Sequence, residues 1–160
     1  MSMKMIYNFH EHGLYYEGQK QNVEFYSVTI EFLEVMCDVK DNNIIGVNGF
    51  LPVHEFEDCD LNFENAKKDK MCFNTDTQIG IEKWGVYDIT LFDSRVEKCF
   101  KNKKARYDCK KKMIFWGQNF SRKDVLTRIN TNLVCSVDNK GLLSALYIFP
   151  DEIEGGPEDV

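Results

Sequence analysis

The longest hydrophobic pattern in the chain covers residues 22–41, NVEFYSVTIEFLEVMCDVKD. Tyr26, Val28, Ile30 and Phe32 alternate with Ser27, Thr29 and Glu31, the period of a strand with one wet face. After Phe32 the phase slips by one residue, and Leu33, Val35, Cys37 and Val39 take up the alternation. Two in-phase halves with such a slip predict one long strand carrying a β-bulge. Val28, Phe32, Val35 and Val39 also fit a helical period, but the β-branched and aromatic residues around them favour a strand. Asp41-Asn42-Asn43 then predicts a turn, and residues 44–51 a returning strand closed by Pro52.

Residues 53–77 are acidic and irregular and read as a long surface loop or a short helix. Strands are expected at 79–83 and 86–92. Ser94 stands three residues before Glu97, a capping-box spacing that predicts a short helix over 95–103. Residues 106–116 alternate through Tyr107, Cys109, Met113 and Phe115 and read as a strand. Ser121 and Asp124 repeat the capping pattern ahead of Val125, Leu126 and Ile129, which predicts a helix over 122–131. LVCSVD and LLSALYIF, joined through Asn139-Lys140-Gly141, predict a hairpin in which Gly141 supplies a positive φ. Pro150 ends it, and residues 151–160 read as an acidic, flexible tail behind a single domain over 1–150. No internal repeat shows in the sequence. The expected fold is mostly β, an antiparallel sheet or β-sandwich of about seven strands with one or two short helices. An α+β arrangement is the alternative.

Composition narrows the class. The chain has 160 residues, 43% of them hydrophobic, which is enough for one core without a metal or disulfide to hold it. No apolar run approaches the roughly 18 residues of a transmembrane helix, so no membrane partner is expected. The start, MSMKMIYNFHEHG, has one lysine and no apolar core of a secretory signal. The six cysteines form no C-x-x-C pair, and reduced thiols in a cytoplasmic protein are the expectation. Secretion with three bridges is the alternative if a signal peptide was removed.

No motif for catalysis, nucleotide binding or a cofactor is present, and the chain is expected to be neither an enzyme nor a cofactor protein. His10 and His12 lie on one side of an extended segment, and His54, Glu55 and Cys59 are the residues that could complete a metal site in space. An exposed polar segment without metal is the expected reading.

Charge is the informative feature. Residues 98–123 hold ten basic residues and one acid, a net +9 in a chain whose total is −6. Residues 11–64 hold twelve acids against Lys20 and Lys40, a net −10. The leading expectation is an acidic inhibitor or immunity-type protein that docks on a basic protein partner such as a toxin or nuclease, through Glu55, Glu57, Asp58, Asp60 and Glu64. A second reading is a nucleic-acid or other polyanion binder that uses Lys101, Lys103, Lys104, Arg106, Lys110 and Lys111, with Trp116 stacking on bases. In a third, the two poles lie on neighbouring strands and neutralise each other. Finally, the twelve phenylalanines could line a cavity for a small apolar ligand, or simply pack a core.

Overall fold

The computed structural model describes residues 3–18, 23–73 and 80–157. The described residues form a mostly-β fold of two mixed seven-stranded sheets packed face to face. The first sheet contains β1 (Lys4–Asn8), β2 (Gly13–Glu17), β3 (Phe25–Ile30), β4 (Leu33–Asp38) and β5 (Ile44–Phe50). The second contains β6 (Val53–Phe56), β7 (Lys67–Lys68), β9 (Ala105–Asp108), β10 (Met113–Gly117), β11 (Val125–Asn130), β12 (Leu133–Val137) and β13 (Leu143–Ile148). β8 (Val86–Asp88) and β14 (Glu152–Glu154) complete the first sheet. A 3-10 turn over Ile89–Leu91 and α1 (Ser94–Phe100) link the two halves. Asp93 caps α1, its carboxylate accepting the Arg95 N–H at 2.9 Å.

The strand orders are β14-β1-β2-β5-β4-β3-β8 and β6-β9-β10-β13-β12-β11-β7. These are one topology used twice. In each half two hairpins and a fifth strand make the sheet, and the next strand crosses to pair, in parallel, with the other sheet. The turn chemistry repeats as well. The Asn8 Oδ1 accepts the N–H groups of His10 and Glu11, as the Asp108 Oδ1 accepts those of Lys110 and Lys111. His12 and Lys112 end these turns with φ of 55° and 52°. Asp38 and Asp138 each accept the N–H two residues on, from Lys40 and Lys140. The crossing strands are clipped alike, by Lys4–Glu152 in one half and Lys104–Glu55 in the other. A duplicated architecture therefore underlies a chain whose sequence shows no repeat.

The core lies between the sheets. Tyr7, Tyr26, Val28 and Leu33 from the first meet Ile114, Trp116, Leu133 and Leu146 from the second. Phe100 of α1 stands 4.7 Å from the Trp116 ring.

Several expectations are corrected. The slip at Phe32 is not a bulge: Ile30 pairs with Leu33 across a two-residue turn, so residues 25–38 are a hairpin. Residues 106–116 likewise fold back, through 109–112. The hairpin β1–β2 is not among the expected elements; His10 and Glu11, expected in an exposed polar segment, lie exposed in its turn. These divisions, and the short edge strands, raise the strand number among the described residues from about seven to fourteen. The helix expected over 122–131 is β11. Asp124 does accept the Ser121 N–H at 2.7 Å, but the bond closes a turn, and β12 then offers a ladder to Val125–Asn130. Part of the expected tail is β14, hydrogen-bonded to β1. The region 53–77 contributes β6 and β7, and its residues 74–77 lie outside the described residues. Of the strand expected at 79–83, residue 79 lies outside them too, and 80–83 form no strand. The hairpin around Gly141, at φ 81°, is as expected, and a short helix does form, but over Ser94–Phe100 and capped by Asp93 rather than Ser94.

Candidate functional site

Strand register places equivalent residues of the two sheets in matching rows on the outer faces. In the second sheet Phe115 pairs with Tyr147, Tyr147 with Val134, and Val134 with Arg128. In the first sheet Asn48 pairs with Glu34, and Glu34 with Thr29. Tyr15 comes beside Asn48, because its neighbour Leu14 pairs with Gly49.

The second row is covered by residues 57–66. Cys59 and Phe63 form a small apolar cluster with Phe115, Val134 and Tyr147. The Phe63 ring lies 5.1 Å from Tyr147 and 5.2 Å from Phe149. The buried Asp108 carboxylate accepts the Cys59 N–H at 2.8 Å, and the Lys111 ammonium donates to the Cys59 carbonyl. Burial alone would raise the Asp108 pKa. The N–H donors of Cys59, Lys111 and Lys110, with the Lys111 charge, outweigh it and hold the carboxyl below its ordinary value.

This covering segment carries the acidic cluster singled out in the sequence. Glu55 pairs with Lys104 at 3.7 Å, Asp58 with Lys110 at 3.3 Å, and Glu57 with Arg106. Lys111 faces Asp108 at 3.7 Å. The parallel pairing of β6 with β9 thus brings the acidic and basic poles together. Asp60 and Glu64 are exposed and enter no ion pair among the described residues. Lys101 and Lys103 are exposed as well. Trp116 is only 2% exposed and donates its Nε1–H to the Lys103 carbonyl at 3.0 Å, so its ring faces the core, away from solvent.

The first row is different. Glu11, Glu17, Glu31 and Glu34 enter no ion pair among the described residues. Beside them three aromatic side chains are exposed: Phe32 by 74%, Phe50 by 44% and Tyr15 by 36%. Phe32 sits in the β3–β4 turn, 6.1 Å from the Phe50 ring. Gly13 and Gly49, which have no side chains to fill the space, leave a depression of about 420 Å³ bordered by Glu11, Leu14, Tyr15 and Phe50. The Tyr15 hydroxyl donates to Glu154 at 2.8 Å. That bond, followed by partial burial and the charges of Glu154, Glu17 and Glu11, pushes the phenol up to about 12.

Two buried side-chain polar atoms among the described residues have no hydrogen-bond partner, His12 Nδ1 and Asn48 Oδ1; their chain neighbours Gly13 and Gly49 line this depression. The His12 ring lies 6.1 Å from Phe50 and 4.7 Å from His54. His10 packs elsewhere, over Gly155, where any side chain would collide with the ring. Among the described residues, no group of three or more His, Cys, Asp or Glu is placed to hold a metal. All six cysteines are free thiols.

Sequence reasoning missed Tyr15, Phe32, Asn48 and Phe50. Their one legible signal was Phe32, an aromatic at the break in an alternating pattern. No protein-family model matches the chain, and no curated protein matches it.

Proposed function

We propose that this is a binding protein that docks on a basic protein partner and covers a functional surface of it, in the manner of an inhibitor or immunity protein. The observation that carries the reading is the set of carboxylates Glu11, Glu17, Glu31 and Glu34 near exposed Tyr15, Phe32 and Phe50: none enters an ion pair among the described residues, although Lys4 stands across the strand pair from Glu17 and Lys103 and Lys104 line one pocket with Glu31. Unpaired carboxylates steer a basic surface into place, and exposed aromatic residues anchor it once it arrives. The docking face is thereby assigned to the first sheet. Glu55, Glu57 and Asp58 already have cations of their own chain and are left the task of holding β6 against β9.

The test is association kinetics against a basic protein captured from the source cells and purified. Association should fall at least tenfold as salt rises from about 0.05 to 0.5 M. The triple variant Glu11→Gln/Glu17→Gln/Glu34→Gln should slow it at low salt, and Glu55→Gln/Asp58→Asn should not. Association indifferent to both salt and the triple variant overturns the proposal.

A further inference from the structure

We infer that the outer row Tyr15–Asn48–Glu34 is the seat of an extended, arginine-bearing basic segment of that partner, laid across the first sheet as residues 57–66 lie across the second. The inference rests on the docking reading and adds the chemistry of what occupies the face.

The molecule itself shows how one of its outer faces is covered. On the second sheet the row carries Arg128 and is flanked by Arg106, Lys110 and Lys111. The segment over it is acidic, with Glu57, Asp58, Asp60 and Glu64 and no basic residue between positions 57 and 66. It is held by opposite charge at its start and by Phe63 on the Tyr147 ring further along. At equivalent positions the first sheet lacks the cations and gains carboxylates. Glu34 stands where the second sheet has Val134, Asn48 where it has Tyr147, and Thr29 where it has Arg128. Past Thr29 comes Asp88, where the second sheet has Lys68. A segment that covers this row by the same physics is basic.

The row also specifies which base. Asn48 Oδ1 is buried without a donor, and the Glu34 carboxylate across from it enters no ion pair among the described residues. Both are acceptors, side by side on paired strands. A guanidinium offers several N–H donors in one plane and can serve two neighbouring acceptors at once, which a single ammonium does less well. The exposed rings of Phe32 and Phe50, 6.1 Å apart, supply faces for it to stack against.

The probe is the peptide acetyl-Lys-Leu-Arg-Phe-Lys-amide, titrated into the full chain and followed by NMR, with a control peptide carrying citrulline in place of arginine. Saturable shifts are expected at Tyr15, Glu34, Asn48 and Phe50, including the Asn48 side-chain amide. Citrulline should weaken binding at least fivefold. Glu34→Gln and Asn48→Leu should weaken it comparably, and Glu64→Gln should leave it unchanged. Shifts centred on residues 57–66, equal binding of the citrulline peptide, or the same shifts produced by raising the concentration of the chain alone each overturn the assignment. Peptide binding that fails while the basic partner still associates in a salt-dependent way removes this seat and leaves the docking reading standing. Peptide binding that holds while partner association ignores salt removes the docking reading alone.

Discussion

The two halves share a topology and differ in what lies on their outer faces. In the second half the row Phe115–Tyr147–Val134 is apolar and roofed by Phe63 and Cys59. In the first half the matching row, Tyr15–Asn48–Glu34, is polar, and an acceptor within it is unsatisfied. The same scaffold thus gives one face that contributes to stability and one whose polar groups await donors. A roofed row loses packing when a side chain is removed; an open row with an orphan acceptor loses almost nothing and can gain.

The sharpest way to break this contrast is substitution at equivalent positions. Tyr147→Ala should lower stability by about 3 kcal/mol in urea denaturation, because Tyr147 is 3% exposed and packed beneath Phe63. Asn48→Ala should change it by less than about 0.5 kcal/mol, since an orphan acceptor is removed with it. Comparable losses at the two sites would show that the first row is as structural as the second.

Next come the paired turns. Asp108→Ala should cost about 2 kcal/mol at pH 7, because three backbone donors lose a buried charged acceptor. Asn8→Ala, whose Oδ1 serves two donors nearer the surface, should cost about 1 kcal/mol. The Asp108 pKa is lowered on folding, so its contribution is complete above the unfolded carboxyl pKa of about 4 and is lost as pH falls through the folded value. Stability followed down to about pH 2 should therefore show a shallower acid limb in Asp108→Asn than in the unaltered chain.

Phe32→Ser should leave stability within about 0.5 kcal/mol, since the ring is 74% exposed. It should weaken partner association about tenfold, as loss of an aromatic anchor does. The smallest effect belongs to Glu55→Gln. Its partner Lys104 is 79% exposed at the side chain, and exposed pairs contribute under about 1 kcal/mol. A larger loss in urea denaturation would mean that the clip between β6 and β9 supports more of the second face than its exposure implies.

What could be read from the sequence followed the range of the interactions. Alternation revealed the β class, and Asn42 and Gly141 revealed their turns, because both signals are local. The β3–β4 turn was hidden because Glu31 and Phe32 lack the glycine or asparagine that usually marks a tight turn; Glu31 takes φ 55° nonetheless. The strand at Val125–Asn130 was hidden by a capping pattern that is real but closes only a turn. The duplicated architecture was hidden because different residues meet the same demand: Asn8 and Asp108 hold the hairpin turns, and His12 and Lys112 take the positive φ. The acidic cluster at Glu55–Asp60 was fully legible, but its partners stand some fifty residues away and are brought in by sheet pairing alone. The open row was illegible for the same reason. Tyr15, Glu34 and Asn48 become neighbours only once β2, β5 and β4 are paired.

The exchange of β6 and β14 bears on how the chain is assembled during synthesis. β1 precedes the other strands of the described residues, yet its parallel neighbour β14 is translated after the other thirteen. Until then the first sheet has a vacant edge, while β6 waits a shorter time, only until β9 is made. Each half holds a strand that only the other can seat, so the polypeptide closes like two clasps in turn, β6 on β9 first and β14 on β1 last. Such long-range closure slows folding and leaves open edges exposed in the interval. The nascent chain is therefore most prone to aggregate just before residues 151–154 emerge, and a chaperone that shields the free edge of β1 should raise the yield of folded protein.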